Sequence, residues 1–591
     1  MKFLKRVFFY TLILVCLGGV LLGVHLSGRV DLKELLPGTK KMDSFAGDFM
    51  AARYAMKEGR MDEARRYLAS ALAKDPENQI LLKNSYEFFF AEGDYEKALE
   101  LATSYVELYP YPVETAHVIL AMSAAKRGEF SDALALFADA KKPGQDDSAP
   151  SVNSEVIVPL ASVWLQVGGG QNKEAMKSLE ELKQLIALPL VQFQAALIAD
   201  IAGNPAAAQE EFDAVLESAG HSLRVAQLAY RFYTKTGNPK KAEEAKNAYF
   251  SISPGAKGED LFDDENSLRP VVNATQGLAD FFMEIASFLH LGNQPVRAQF
   301  YASMALFMQP DFPHARLLLA NILRSEERYN DALDAYKNIT APASFYWQAR
   351  INTARMEAEL KEYDRAKSLL LSLAEENKTS YDPYLTLADL LMDKKEYTQA
   401  AEFYSRAIAR IGTPEDYQWV VFYARGICNE RLKQWDNAEA DFKKALELNP
   451  NQPDVLNYLA YSWLVMDKNI EQAHEMLKKA LTQRPGDAHI IDSFGWALFK
   501  LAKYDEALAF LEQANEMIPN DPTTNDHLGD VYWQVGRKRE ARFQWQRALY
   551  FKPEPDEILV LEQKLLHGLP LPSVNITKST STPAAKTEKT P

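Results

Sequence analysis

The residues of this chain whose types could do chemistry are nine histidines, two cysteines and a run of three glycines. His117, His221, His290, His314, His474, His489, His527 and His567 are scattered, with His25 at the edge of an N-terminal apolar stretch. No two have the His-Glu-x-x-His spacing that sets two metal ligands on one helical face. His489 and His527 have Asp492 and Asp526 close by, which makes a metal set conceivable, but polar surface residues without metal explain them better. Gly168, Gly169 and Gly170 are not followed by the Gly-Lys-Ser/Thr of a phosphate cradle and suit a turn between helices. No Gly-x-Ser-x-Gly elbow occurs, and Cys428 without a placed histidine is no nucleophile; it reads as a small buried hydrophobe. Cys16 lies in the apolar stretch, so no internal disulfide is expected. The chain therefore offers no catalytic residue, no cofactor site, no metal site and no evident small-molecule substrate.

The elements behind these residues recur at a fixed interval. Ala438, Ala473, Ala507 and Ala541 keep one step, as do Ala445, Ala480, Ala514 and Ala548, and Pro450, Pro485, Pro519 and Pro553. A small residue, Gly426, Ala460, Gly495 or Gly529, precedes each first alanine. A period of about 34 residues with these occupants is that of a helix–turn–helix solenoid. Small side chains let two antiparallel backbones approach. Ala507, Leu511 and Ala514 form one helical face, Ile491, Phe494 and Leu498 the complementary one, and Pro519 ends the second helix. One such unit cannot bury its own apolar face, so it must stack on neighbours.

This constellation resembles the tetratricopeptide repeat, clearest over 419–553. Weaker copies follow the phase upstream through Ala388, Ala354, Ala320 and Ala286. Beyond an interruption come Ala242, Ala208 and Ala175, where generic helical hairpins are the alternative, and then Ala133, Ala98 and Ala64. The expected fold is all-α: a right-handed α-solenoid of about fourteen repeats, preceded by one N-terminal transmembrane helix. The resemblance implies a concave groove lined by four positions of each first helix. Carried onto the last four repeats these are Val420, Tyr423, Ile427 and Glu430; Asp454, Asn457, Tyr461 and Leu464; His489, Asp492, Trp496 and Phe499; and Thr523, Asp526, Asp530 and Trp533. Tyr423, Tyr461, Asp492, Trp496, Phe499, Asp526, Asp530 and Trp533 are the candidate partner-binding residues, since aromatics supply contact area and carboxylates select basic groups. The alternative is that Tyr461 and Trp496 pack between helices.

The expected organisation is a signal-anchor segment (1–26), a tether (27–44), a first solenoid (45–250), an acidic hinge or insertion (251–272), a second solenoid with a capping helix (273–568) and a disordered tail (569–591). The cap rests on one face formed by Ile558, Leu561, Leu565 and Leu566. Lys2, Lys5 and Arg6 precede an uncharged run from Val7 to Val24, whose 18 residues span about 27 Å at about 1.5 Å each. The basic flank places the bulk of the chain across the membrane, in the periplasm if the cell is Gram-negative. A cleaved signal or a lipoprotein at Cys16 fits the flanking residues less well. A net charge of -15 argues against nucleic acid as a partner. Other proteins are the expected partners, with the membrane held through the first helix. The C-terminal repeats are similar to large envelope-associated tetratricopeptide proteins of Gram-negative bacteria. That likeness implies a scaffold or adaptor, a part of a polysaccharide-export, secretion or envelope-assembly machine, or an adaptor for a periplasmic protease. An enzyme with an unrecognised site in 141–272 is the remaining alternative.

Overall fold

The computed structural model describes residues 44–110, 115–139, 156–185, 189–218, 222–253, 262, 268–341 and 345–569. Among these residues the regular elements are helices and no strand forms. The expected transmembrane segment and tail lie outside the described residues, and within them no helix is long and apolar enough to cross a membrane. The chain divides into two compact units between Lys361 and Glu362.

In the first unit, helices follow in antiparallel pairs. They are α1 (Phe45–Lys57) with α2 (Met61–Lys74), α3 (Gln79–Ala91) with α4 (Tyr95–Leu108), and α5 (Thr115–Lys126) with α6 (Phe130–Asp139). Next come α7 (Val158–Gly168) with α8 (Asn172–Leu185), α9 (Pro189–Ile201) with α10 (Pro205–Glu217), and α11 (Leu223–Lys235) with α12 (Pro239–Ile252). Then follow α13 (Ala274–Leu291) with α14 (Pro295–Met308), α15 (Pro313–Ser325) with α16 (Tyr329–Lys337), and α17 (Tyr346–Glu359). The second unit holds α18 (Tyr363–Glu376), α19 (Asp382–Asp393) with α20 (Tyr397–Ile411), and α21 (Trp419–Arg431) with α22 (Trp435–Leu448). It continues with α23 (Pro453–Val465) and α24 (Ile470–Gln483), α25 (Ala488–Lys500) and α26 (Tyr504–Met517), α27 (Pro522–Gln534) and α28 (Lys538–Tyr550), and ends in α29 (Pro555–His567). Up to α28 this succession supplies two helices for each of the roughly fourteen expected repeats.

Local chemistry explains the punctuation. Side chains of Asp94, Asn204, Asn238, Asn273, Asp487 and Asp521 accept from the first backbone N–H groups of the helices they precede. Between the two helices of a pair the chain turns through a left-handed residue, such as Gly170 (φ +74), Lys433 (φ +61) or Ala502 (φ +59). The recurrent small residues then let the pair close. A Cβ added to Gly426 would stand 2.6 Å from the Phe442 ring, one on Gly495 2.8 Å from Leu511, and one on Gly529 2.5 Å from the Trp545 indole. Ala64, Ala98, Ala133, Ala175, Ala208 and Ala242 are all buried on second helices, so the irregular copies between 155 and 250 share the same contact.

The first unit departs from nearest-neighbour stacking. Helices α13 and α14 pack back onto α3, α5, α7 and α9. Gly277 lies against the buried Trp164, Phe300 and Phe307 stack on Phe90, and Tyr95 Oη donates to the Ser303 carbonyl at 3.1 Å. Arg328, just before α16, makes two 2.8 Å bonds to the Glu92 carboxylate, and both side chains are buried or nearly so.

Of the segment expected as a hinge or insertion (251–272), the described residues are 251–253, 262 and 268–272. Phe262 is buried among Tyr230, Tyr249 and Phe250, and Leu268 and Val271 are buried too. Arg224 donates to the Leu268 and Arg269 carbonyls at 2.6 Å each while pairing with Asp280 at 2.7 Å.

Candidate functional site

Four first helices of the second unit, α21, α23, α25 and α27, carry the predicted groove positions. Tyr423 on α21 is half-buried beside Trp419, Phe442 and Tyr458, with ring centroids 5.9–6.0 Å away. Burial raises its hydroxyl pKa to about 12, with Asp454 adding and Arg484 opposing. Around it Val420 is 43% exposed, Ile427 and Asp454 are half-buried, and the buried Asn457 Oδ1 has no hydrogen-bond partner. This stretch is an open surface of aromatic, aliphatic and polar groups.

The other seven predicted residues lie together further along. Trp496 is buried with its ring nearly parallel to Phe499 on one side (4.6 Å) and to His527 on the other (4.1 Å). His527 Nδ1 stands 2.9 Å from Asp492 Oδ2, both groups being buried, and Tyr461 flanks the imidazole at 5.9 Å. Burial works against charge on His527, yet Asp492, Asp526 and Asp530 outweigh it, so its pKa stands above the ordinary value, and Nδ1–H donates to the Asp492 carboxylate. On the next turn of α27, Asp530 accepts from Trp545 Nε1 at 2.9 Å. Burial pushes the Asp530 carboxyl up to about 6, with Asp526 adding and Lys564 and Trp545 opposing.

Lys564 is the residue that sequence reasoning missed. Its ammonium, on α29, donates to Asp526 at 2.7 and 2.8 Å and to Asp530 at 2.9 Å. Burial disfavours its charge, but the two carboxylates prevail and its pKa is raised. Three residues earlier on the same helix, Leu561 is 1% exposed, and Gly568 closes over Trp533. Tyr461, Val465, Trp496, Lys500, Thr523, Asp526, His527, Asp530, Glu557, Leu561 and Lys564 enclose a cavity of about 180 Å³. Of the expected capping face, Leu561 is buried and Leu565 packs on the core of the second unit, whereas Ile558 is 37% and Leu566 69% exposed; α29 packs on α28 and reaches α27 through Lys564.

The alternative of Trp496 packing between helices holds for that ring, and Asp492 is its neighbour's counter-ion rather than a free rim charge. His489 and His527 do not converge: His527 is committed to Asp492, and among the described residues no group of three or more His, Cys, Asp or Glu is placed for a metal ion. Seen as chemistry, the site holds a cation and an apolar side chain from a helix against aromatic rings and paired carboxylates. The signal for this lay in the sequence as Leu561, Lys564 and Leu565, which share one helical face at i, i+3 and i+4.

Comparison with known proteins places this geometry. Sequence models of the tetratricopeptide repeat match residues 49–112, 89–150, 381–411, 419–452 and 464–524. A TPR repeat-containing protein of Pseudomonas aeruginosa is 26% identical over 220 residues, covering 36% of this chain and 35% of that protein. The type IV pilus assembly protein PilF of the same organism is 26% identical over 118 residues, covering 19% of this chain and 46% of that one. The chain thus spans less than half the length of these relatives. Among solved structures, the Cut9–Hcn1 hetero-tetramer of APC/C aligns over 89% of this chain and 96% of its own at 14% identity and a TM-score of 0.37. Yeast Tom70 aligns over 89% and 95% at 15% identity and a TM-score of 0.27. The matched stretches coincide with helix pairs closed by the same small-residue contacts, and over them the chain carries tetratricopeptide repeats.

Proposed function

We propose that this protein is a membrane-anchored scaffold that holds segments of other proteins along the concave first helices of its second unit. The observation that carries this is the open stretch around Tyr423, where the exposed Val420 and the half-buried Ile427 and Asp454 offer apolar contact and a carboxylate side by side. An extended or helical segment with apolar anchors and amide or basic groups suits such a surface. The anchor is the apolar run Val7–Val24, retained in a bacterial inner membrane, with the bulk of the chain periplasmic in a right-handed stack. The carboxylates of the concave face favour basic partner segments and make nucleic acid a poor one. A part in an envelope-assembly machine is the second reading, favoured by the similarity to a type IV pilus assembly protein.

The test is to cross-link the detergent-solubilised full chain in its native membrane fraction and identify what is captured. The double variant Val420→Asp, Tyr423→Ala should lose most of the captured protein, since truncating a buried aromatic anchor costs about 2 kcal/mol or more, roughly thirtyfold. Undiminished capture would overturn the concave reading. N-terminal sequencing of the same fraction decides the anchor, and a mature start near Arg29 would refute it.

A further inference from the structure

We infer that the groove of the last three repeats is a second recognition site, that α29 is its built-in occupant, and that its external ligand is a helix carrying a bulky apolar residue with Lys or Arg three positions later. This rests on the scaffold reading above and extends it to a surface the chain itself covers. Three observations carry it.

The first is charge. Asp526 and Asp530 lie on one face of α27, four residues apart, with Asp492 on the neighbouring helix already holding His527. Two carboxylates so placed repel unless a cation sits between them, and Lys564 is that cation, bonded to both. Any helix that displaces α29 must bring its own ammonium or guanidinium.

The second is how lightly α29 is held. Leu561 is its one fully buried side chain among the described residues, while Leu559, Val560 and Leu566 face away and are more than half exposed. A stacking helix of these repeats buries several side chains, as α25 does from Ala488 to Leu498. Leu561, the half-buried Leu565 and Lys564 position α29 beside α28, a smaller buried face than that of a stacking helix.

The third is an imperfect fit. Beside Leu561 and Lys564 the cavity of about 180 Å³, walled by Tyr461 and Trp496, is left unfilled. Natural interiors leave few such voids. A phenylalanine at the position of Leu561 would enter it against Tyr461 and the edge of Trp496, whose faces are taken by Phe499 and His527, so an external helix with that residue gains contact the resident one lacks.

The experiment uses the full chain and fluorescein-labelled synthetic peptides with the sequence of residues 553–569. Hydrogen exchange on the wild-type chain should show the amides of 558–567 opening about tenfold or more faster than those of 522–534. The wild-type chain should bind the native peptide weakly, because the tethered copy competes at an effective concentration on the order of millimolar. In the Lys564→Glu chain the tethered helix is released and the native peptide should bind. A peptide with Leu561→Phe should bind about tenfold tighter, and one with Lys564→Glu not at all. Equal protection of 558–567 and 522–534, or a folded Lys564→Glu chain that takes up no peptide, would make α29 a plain cap and overturn the inference. If that variant fails to fold, the exchange measurement on wild type decides alone. None of these readouts involves an outside protein, so their failure leaves the open stretch around Tyr423 untouched, and loss of capture there leaves these unchanged.

Discussion

At the scale of single residues, closure of each helix pair sets a small residue against a large one, and the large partner decides how strictly. Gly529 faces the Trp545 indole, which is fixed by its bond to Asp530, and the Ala541 carbonyl stands 3.2 Å from where a Cβ would be. Gly529→Ala gains about 1 kcal/mol of helix propensity but overpacks a rigid contact at about 1–3 kcal/mol, so a net loss of up to about 2 kcal/mol is expected in urea unfolding. Gly495→Ala brings a Cβ to 2.8 Å from the Cγ of the fully buried Leu511, so it overpacks as well and a loss of similar size is expected; a higher urea midpoint for either variant would refute this. The turns offer the opposite sign. Ala502 occupies a left-handed conformation that glycine takes without strain, and Gly536 does so in the next repeat. Ala502→Gly should therefore stabilise by roughly 0.5–1 kcal/mol, read as a higher urea midpoint.

At the scale of elements, α27 and α29 share a buried charge cluster whose titration has a definite direction. Asp530 titrates near 6 in the folded chain against an ordinary value of 3.8, so the folded state holds that proton more tightly than the unfolded one. Its contribution is full below about 4 and is lost as the pH rises through about 6. His527, also raised, contributes below its ordinary 6.5 and loses that as the pH passes its own higher value. Asp492, Asp526, Lys564 and Tyr461 face these groups and act in the same cluster. Unfolding followed by tryptophan fluorescence should show the second unit more stable at pH 5 than at pH 7.5, by on the order of 2 kcal/mol, and Asp530→Asn should flatten that slope. A wild-type midpoint that rises with pH would contradict it. How much of this was legible in the sequence follows from distance along the chain. Asp492, Trp496, Asp526 and Asp530 were found because helix positions recur every 34 residues. Lys564 bonds residues 34 and 38 positions away from a helix outside the repeat register, so no periodicity announced it.

At the scale of the molecule, the two units are held by different rules. In the second, packing runs between successive helices and their near neighbours, the arrangement in which stability is a sum of local terms. In the first, α14 and α16 secure helices that precede them by some 200 residues. Arg328 bonds Glu92 across 236 positions, with side chains only 5% and 10% exposed. Arg328→Ala leaves that carboxylate enclosed and unpaired, a loss of about 3–5 kcal/mol. Hydrogen exchange should quicken in 79–108 as well as around 328, whereas a change at Gly529 should be felt only in adjacent repeats. Exchange confined to 313–337 would show that the return contact is incidental.

The return of α13 and α14 also bears on how the chain is made. Phe90 and Tyr95 reach Phe300, Phe307 and Ser303 only when residues near 308 have left the ribosome, about 200 positions after their own emergence. At about 5–20 residues per second that delay is on the order of 10–40 s. Throughout it the first helices expose aromatic faces that no adjacent repeat covers. A nascent chain in that state is a client for a holding chaperone. Repeats in the second unit could be gained or lost by duplication without disturbing the rest, but in the first a single inserted repeat would carry Glu92 away from Arg328.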